Sequence, residues 1–216
     1  MILFNMAVAY APPIAVWLIW KHRTPARTFP MLVGIIAYMF ISMLRGMARF
    51  IVLNDALREH VWLFYIVSAL LSGIFEEAGR YIVFRWCIPN YDRWTDCISY
   101  GIGHGAIEVF LTHNILEMNF YDSLITGQNF LRAMLFSSVM SVLVFSAVHY
   151  TEHKKLLLLA IGLHTVTDIL PALFLNDIVN FIEADFLDLL YLTGICYIAY
   201  RVYRYFNPKE VNHYDI

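Results

Sequence analysis

The chain has 216 residues, of which 60% are hydrophobic and only 15% charged, with 15 Lys+Arg against 17 Asp+Glu for a net charge of −2. Soluble domains carry about 25% charged residues and nucleic-acid binders carry a basic footprint, so neither a soluble globular enzyme nor a nucleic-acid partner fits. Apolar runs long enough to cross a bilayer recur from end to end; they predict an all-α, polytopic transmembrane helix bundle of about seven spans, forming a single integral membrane domain over residues 1–216.

The predicted spans fall near 2–20, 29–53, 61–87, 97–116, 130–151, 155–175 and 186–206. The first lacks the basic start of a signal peptide and is followed by Lys21, His22 and Arg23, so it is expected to remain as a span. Segments 21–28, 85–96 and 152–155 and the tail, which includes Lys209, hold ten of the fifteen basic residues. The opposite loops carry Arg58, with Asp177, Glu183 and Asp185 in 176–185 and Arg132 near an edge. This asymmetry puts the N-terminus outside and the C-terminus in the cytosol. Tyr10, Trp20, Trp62, Trp86, Trp94 and Tyr203 gather near span ends, as interfacial aromatic residues do. Cys87, Cys97 and Cys196 form neither a disulfide framework nor a CxxC metal knuckle and are expected as reduced thiols. Pro12, Pro13 and Pro171 are expected to bend spans one and six.

Span two carries Arg45 and Arg49 in its outer half. Arg49 can snorkel outwards, whereas Arg45 lies deeper and needs a partner. Span three carries Gly73-Ile-Phe-Glu-Glu-Ala-Gly-Arg80 at mid-membrane depth. A charge near the bilayer centre costs roughly 2.5–3.5 kcal/mol on insertion scales, so three ionisable residues within five positions must face a partner or a wet cavity. Arg80 can pair with Glu76 at i,i+4 or Glu77 at i,i+3, but one arginine neutralises only one of the two glutamates.

Span four reads Gly101-Ile-Gly-His104-Gly-Ala-Ile-Glu108, which sets His104 and Glu108 on one helix face and makes Gly101 and Gly105 a small-xxx-small packing pair. His113 and Glu117 repeat the spacing at the outer end and are expected to be interfacial. Span six repeats it again with His164 and Asp168. At a rise of about 1.5 Å per residue, Glu76, His104 and His164 all lie roughly 10–17 Å from the cytosolic ends of their spans; Ser141, on span five, lies at a similar depth and is expected to join them.

Three chemistries use such a set. One is hydrolysis, with a glutamate as general base, a histidine orienting the water and other polar groups steadying the oxyanion. The second is a metal site, with His104, His164 and the carboxylates of Glu76 or Asp168 as ligands, zinc being the natural ion. The third is proton-coupled transport, against which stands the lack of an inverted repeat. There is no HExxH, no GxSG around Ser72 and no GxGD, which removes zincin, rhomboid-like and presenilin-like readings.

Taken in order, Glu76-Glu77-x-x-Arg80, Gly101-x-Gly-His104-Gly-x-x-Glu108 and His164-x-x-x-Asp168 on successive helices resemble the YhfC-type intramembrane protease family, related to the CAAX prenyl endopeptidases and the bacterial CPBP (abortive-infection) proteins. The resemblance spans about residues 61–175 and implies a multi-pass protein of a bacterial plasma membrane. It implies an endopeptidase of glutamate type acting on a membrane-bound or lipid-anchored polypeptide, with membrane lipid as its other partner. In it Glu76 is the water-activating base, His104 its partner, His164 with Asp168 a second polar pair near the scissile carbonyl, and Glu77 and Arg80 are supports. Three features depart from the pattern: Asp168 stands where relatives have an asparagine or similar residue, the relatives' glutamate motif often has one more residue before the arginine that Arg80 would match, and Ser137, four residues before Ser141, stands where the family pattern has a histidine. A catalytically silent, immunity-type membrane protein is the alternative those departures raise. Because each histidine already has a carboxylate on its own helix, a metal-free site is expected, with zinc as the alternative.

Overall fold

A computed structural model of the protein describes residues 2–53, 57, 59–113, 119–150, 153–176 and 178–207, the side chains of 174, 181 and 182 excepted. Arg58, Glu117, Asp177 and Lys209 lie outside the described residues. Those described form seven helices in sequence: α1 (Ile2–Arg23), α2 (Thr28–Val52), α3 (Val61–Ile82), α4 (Trp94–Thr112), α5 (Phe120–His149), α6 (Lys155–Leu175) and α7 (Phe181–Phe206). A π-helical turn, Val83–Cys87, continues α3. Among the described residues no strand is present.

Five of these segments are long and apolar enough to cross a membrane: Ile2–Arg23, Thr28–Val52, Val61–Cys87, Phe120–His149 and Lys155–Leu173. The remaining two, α4 and α7, are diluted by small and polar residues, among them Asp96 and His104 in α4 and Glu183, Asp185 and Asp188 in α7. The chain is a multi-pass integral membrane protein built of helices alone. Where a membrane excludes water, every backbone N–H and C=O must be satisfied internally, which favours this architecture.

The chain divides into two compact units, Met1–Met39 with Ile88–Ser141, and Phe40–Cys87 with Val142–Ile216. In the first, α4 is the buried element, enclosing Asp96, Cys97, Tyr100, Ile102 and His104. Its glycines explain how. A Cβ on Gly101 would collide with the Ser137–Ser138 backbone of α5, and one on Gly105 with the Ala133 carbonyl of the same helix. The small-xxx-small pair therefore carries the α4–α5 contact. Arg27 grips the buried Asp96 at the start of α4 with two hydrogen bonds, one of 2.9 Å from Nε, and lies 4.2 Å over the Tyr91 ring. That bond raises the Arg27 guanidinium pKa further above its ordinary value. Trp20 Nε1 donates to Ser99 Oγ at 3.1 Å, fixing the end of α1.

In the second unit α3 packs along α6, and α6 along α7. Gly73 sets the α3–α6 approach: a Cβ there would lie 2.7 Å from both the Ile161 carbonyl and Thr165 Oγ1. Tyr191 of α7 donates to the Leu163 carbonyl at 3.0 Å. Phe84, in the π-helical turn, is buried edge-on against Phe145 at 5.9 Å.

Boundaries differ from the expected spans in three places. The fifth helix begins at Phe120 rather than near 130. The polar run over 121–129 reads as a loop, yet Asp122 N and Asn119 Oδ1 cap the helix at 2.9 Å and Ser123 Oγ bonds back to the Asn119 carbonyl at 2.8 Å. Arg132 consequently lies well inside a helix instead of at an edge. The seventh helix begins at Phe181, where Asn180 and Glu183 form a reciprocal capping box. The fourth ends at Thr112, with His113 as its cap. Helices α1 and α6 run on through Pro12, Pro13 and Pro171.

Candidate active site

The α3–α6 contact converts a run of expensive ionisable residues into a paired cluster within the second unit. Along α3, Ser72, Gly73, Glu76, Glu77 and Arg80 are all buried, the i, i+3, i+4 pattern of one helix face. His164 of α6 meets this face, and its Nδ1 lies 2.6 Å from Glu77 Oε1. An ionised carboxylate only accepts, so Nδ1–H is the donor. The other Glu77 oxygen takes a 2.6 Å bond from Arg80 Nη1. Glu77 is thus fully committed: it fixes the His164 ring on one side and balances Arg80 on the other.

Nε2 of His164 then points the other way. It lies 3.8 Å from Glu76 Oε2 and 3.8 Å from Asp168 Oδ1. The remaining Glu76 oxygen, Oε1, is paired with the Arg45 guanidinium from α2. Burial is near complete for Glu76 at 1% exposure and His164 at 3%, while the Asp168 side chain is 32% exposed. Three carboxylates against two guanidiniums leave one negative charge in excess, which a proton on His164 or a bound cation would balance. His164 Nε2 thus stands between one oxygen of Glu76 and one of Asp168.

Several sequence expectations are resolved. Arg45 has its partner, Glu76, while Arg80 bonds Glu77, so the two adjacent glutamates each have their own arginine. Arg49 does not snorkel outwards: its Nη2 donates to Ser72 Oγ at 2.7 Å and to the Ser68 carbonyl at 3.2 Å, because bare hydroxyl and carbonyl groups on α3 lie within its reach. His164 and Asp168 are in one cluster with Glu76 rather than a separate second pair. Sequence reasoning missed the two arginines of α2 as members of this neighbourhood. The available signal was their depth, since an intramembrane guanidinium demands a carboxylate.

In the first unit His104 is fully buried, with the Tyr38 ring edge-on at 4.8 Å and Tyr100 at 5.7 Å. Gly34 of α2 permits this: a Cβ there would strike the Tyr100 carbonyl and lie 3.1 Å from the His104 nitrogen. Glu108, one turn on, is half-buried. Ser137 and Ser141 are both buried, and Ser141 Oγ donates to the Ser137 carbonyl at 2.8 Å within α5. The Ser141 hydroxyl is thus used by its own helix, and the backbone at Ser137–Ser138 packs against Gly101.

Whether the residues suit a metal is a question of donor type and spacing. One imidazole nitrogen backed by a carboxylate on its other nitrogen is the usual metal-ligand arrangement, and Glu76 and Asp168 add two hard oxygens. Ligand bonds of 2.0–2.1 Å imply tetrahedral edges of about 3.3 Å, so the 3.8 Å separations are about half an ångström wide. Among the described residues no group of three His, Cys, Asp or Glu is already drawn in to metal spacing. The donor types fit a divalent ion, and both the Glu76 and the Asp168 carboxylates would have to draw in towards His164 Nε2 to hold one.

Fold and site together define a multi-pass helical membrane protein with a buried carboxylate–histidine centre. A family model described as YhfC intramembrane metalloprotease matches residues 8–132. The chain belongs to that family. It is also 30% identical over 112 residues to the uncharacterized membrane protein YhfC of Bacillus subtilis (strain 168), a match covering 49% of this chain and 43% of that protein. No solved structure matches. The family match includes Glu76, Glu77, Arg80, His104 and Glu108 and stops before Ser137, Ser141, His164 and Asp168.

Proposed function

We propose that the protein is an intramembrane endopeptidase acting on a membrane-bound or lipid-anchored polypeptide, with Glu76, Glu77, His164 and Asp168 as its hydrolytic centre. The observation that carries this is the placement of His164 Nε2 3.8 Å from both Glu76 Oε2 and Asp168 Oδ1, beside the buried face of α3. A gap of that width is one a single bridging water closes. Glu77 accepts from Nδ1–H and fixes the orientation of the ring, Arg80 balances Glu77, and Arg45 keeps Glu76 turned so that Oε2 faces His164. Peptide hydrolysis needs a water delivered to the carbonyl with an acceptor for its proton; in a site without a bound ion, Glu76 Oε2 would be that acceptor, with His164 orienting the water. For His104, which the sequence pattern puts forward, a catalytic part predicts that His104→Ala folds but cleaves no peptide; full cleavage by that variant would remove it. The order of motifs also supports a distant relation to CAAX prenyl endopeptidases and CPBP proteins.

The family description and the donor set favour the metal-dependent form over the metal-free one expected from sequence. His164 Nε2, Asp168 and Glu76 would hold the ion, which when bound would acidify a water and polarise the scissile carbonyl. Metal analysis of detergent-purified protein tests this. Zinc or another divalent ion near one per chain, lost in both His164→Ala and Asp168→Asn, is the expected result. Active protein without stoichiometric metal would return the site to a glutamate base alone.

A further inference from the structure

Outside the candidate active site, the C-terminal turns of α7 and the start of α6 line an open cavity of about 770 Å³ within the second unit. Its lining is two-faced. Leu156, Ile198 and Val202 form an apolar wall, and His153, Arg201 and Arg204 supply the polar groups. The two arginines stand at i,i+3, one turn apart, and each is braced rather than neutralised. Arg201 Nη1 bonds the Tyr197 hydroxyl at 2.8 Å and Arg204 Nη1 the Tyr200 hydroxyl at 3.1 Å. Among the described residues neither guanidinium has a carboxylate partner, unlike Arg27, Arg45 and Arg80. His153 is held at the rim by the Phe206 ring at 5.2 Å and the Tyr205 ring at 5.8 Å.

Tyr197, Tyr200 and Tyr205 are all more than half exposed on the same helix end. Tyrosines mixed with arginines at a helix end mark the headgroup level of a bilayer, and basic pockets at that level hold anionic headgroups. We propose that this cavity is a binding site for an anionic phospholipid: the phosphodiester sits on Arg201 and Arg204 with His153 beside it, and the first part of an acyl chain lies on Leu156, Ile198 and Val202. Guanidiniums suit this role because they engage phosphate oxygens bidentately while their stems cover apolar surface. A volume near 770 Å³ accommodates a headgroup with the start of a chain, and is far larger than a lone phosphate requires.

The test uses the full chain in nanodiscs of phosphatidylcholine alone and of phosphatidylcholine with phosphatidylglycerol, with bound lipid read by native mass spectrometry. Phosphatidylglycerol should be retained at about one molecule per chain in preference to phosphatidylcholine. Its apparent affinity should fall roughly 30-fold in Arg201→Gln/Arg204→Gln, at the usual contribution of each juxtamembrane arginine. Val202→Trp, which fills the apolar wall and leaves both charges, should lose the lipid too and covers the case in which the double variant fails to fold. Equal retention of phosphatidylglycerol by wild type and both variants would overturn the assignment. So would displacement of the lipid by millimolar inorganic phosphate, which would make this a phosphate site rather than a lipid site.

Discussion

Glu77 is the most constrained side chain in the cluster, because one carboxylate serves a histidine on α6 and an arginine on its own helix. Removing one partner of a buried ion pair costs about 3–5 kcal/mol, so Glu77→Ala, which removes the carboxylate bonded to both Arg80 and His164, should unfold the protein at clearly lower temperature in a detergent melt. Glu76→Gln preserves shape and one hydrogen bond to Arg45, so it should stay folded while peptide cleavage falls by about 10²–10⁴-fold. A Glu76→Gln protein that is both stable and fully active would remove Glu76 from the chemistry. The ionisable residues themselves were legible in the sequence, since each is costly in an apolar span. Their pairing was not: whether Glu76 takes Arg80 or Arg45 depends on how α2 and α3 pack, and helical spacing within one span contains nothing about a neighbour.

Among the helices, close approach is set by glycine. Gly73 places His164 within reach of Glu77 by letting α6 ride against α3, with 2.7 Å between a would-be Cβ and the Ile161 carbonyl. Gly73→Leu should push the helices apart, costing about 1–3 kcal/mol as overpacking does, and should lower activity more than stability because the Glu77–His164 bond is lost. Comparing melting temperature with cleavage rate checks this; equal activity would separate the α3–α6 spacing from the site. At the start of α7, Asn180→Ala removes a capping box and should cost about 1 kcal/mol, readable as a small drop in melting temperature without loss of activity. Element existence was readable from apolar runs, and α6 begins and ends where expected. The start of α5 was not, since Ser123, Thr126 and Gly127 look like loop residues and are instead a polar helix face, with Ser123 and Thr126 buried.

For the molecule as a whole, the ten-of-fifteen bias of basic residues predicts a cytosolic C-terminus. A cysteine introduced at Asn212, outside the described residues, should resist a membrane-impermeant thiol reagent in intact cells and react after permeabilisation; labelling from outside would invert the topology. Family membership rests on residues 8–132, so the part played by α6 stands on geometry alone, and His164 is where the hydrolytic proposal is most exposed. The most direct measurement is a comparison of membrane-protein termini in cells expressing the wild-type chain, Glu76→Gln or His164→Ala at equal levels. Peptide termini within or next to membrane segments that appear with the wild type and vanish with both variants are the predicted result. An identical set of termini in all three would contradict an intramembrane peptidase centred on Glu76 and His164.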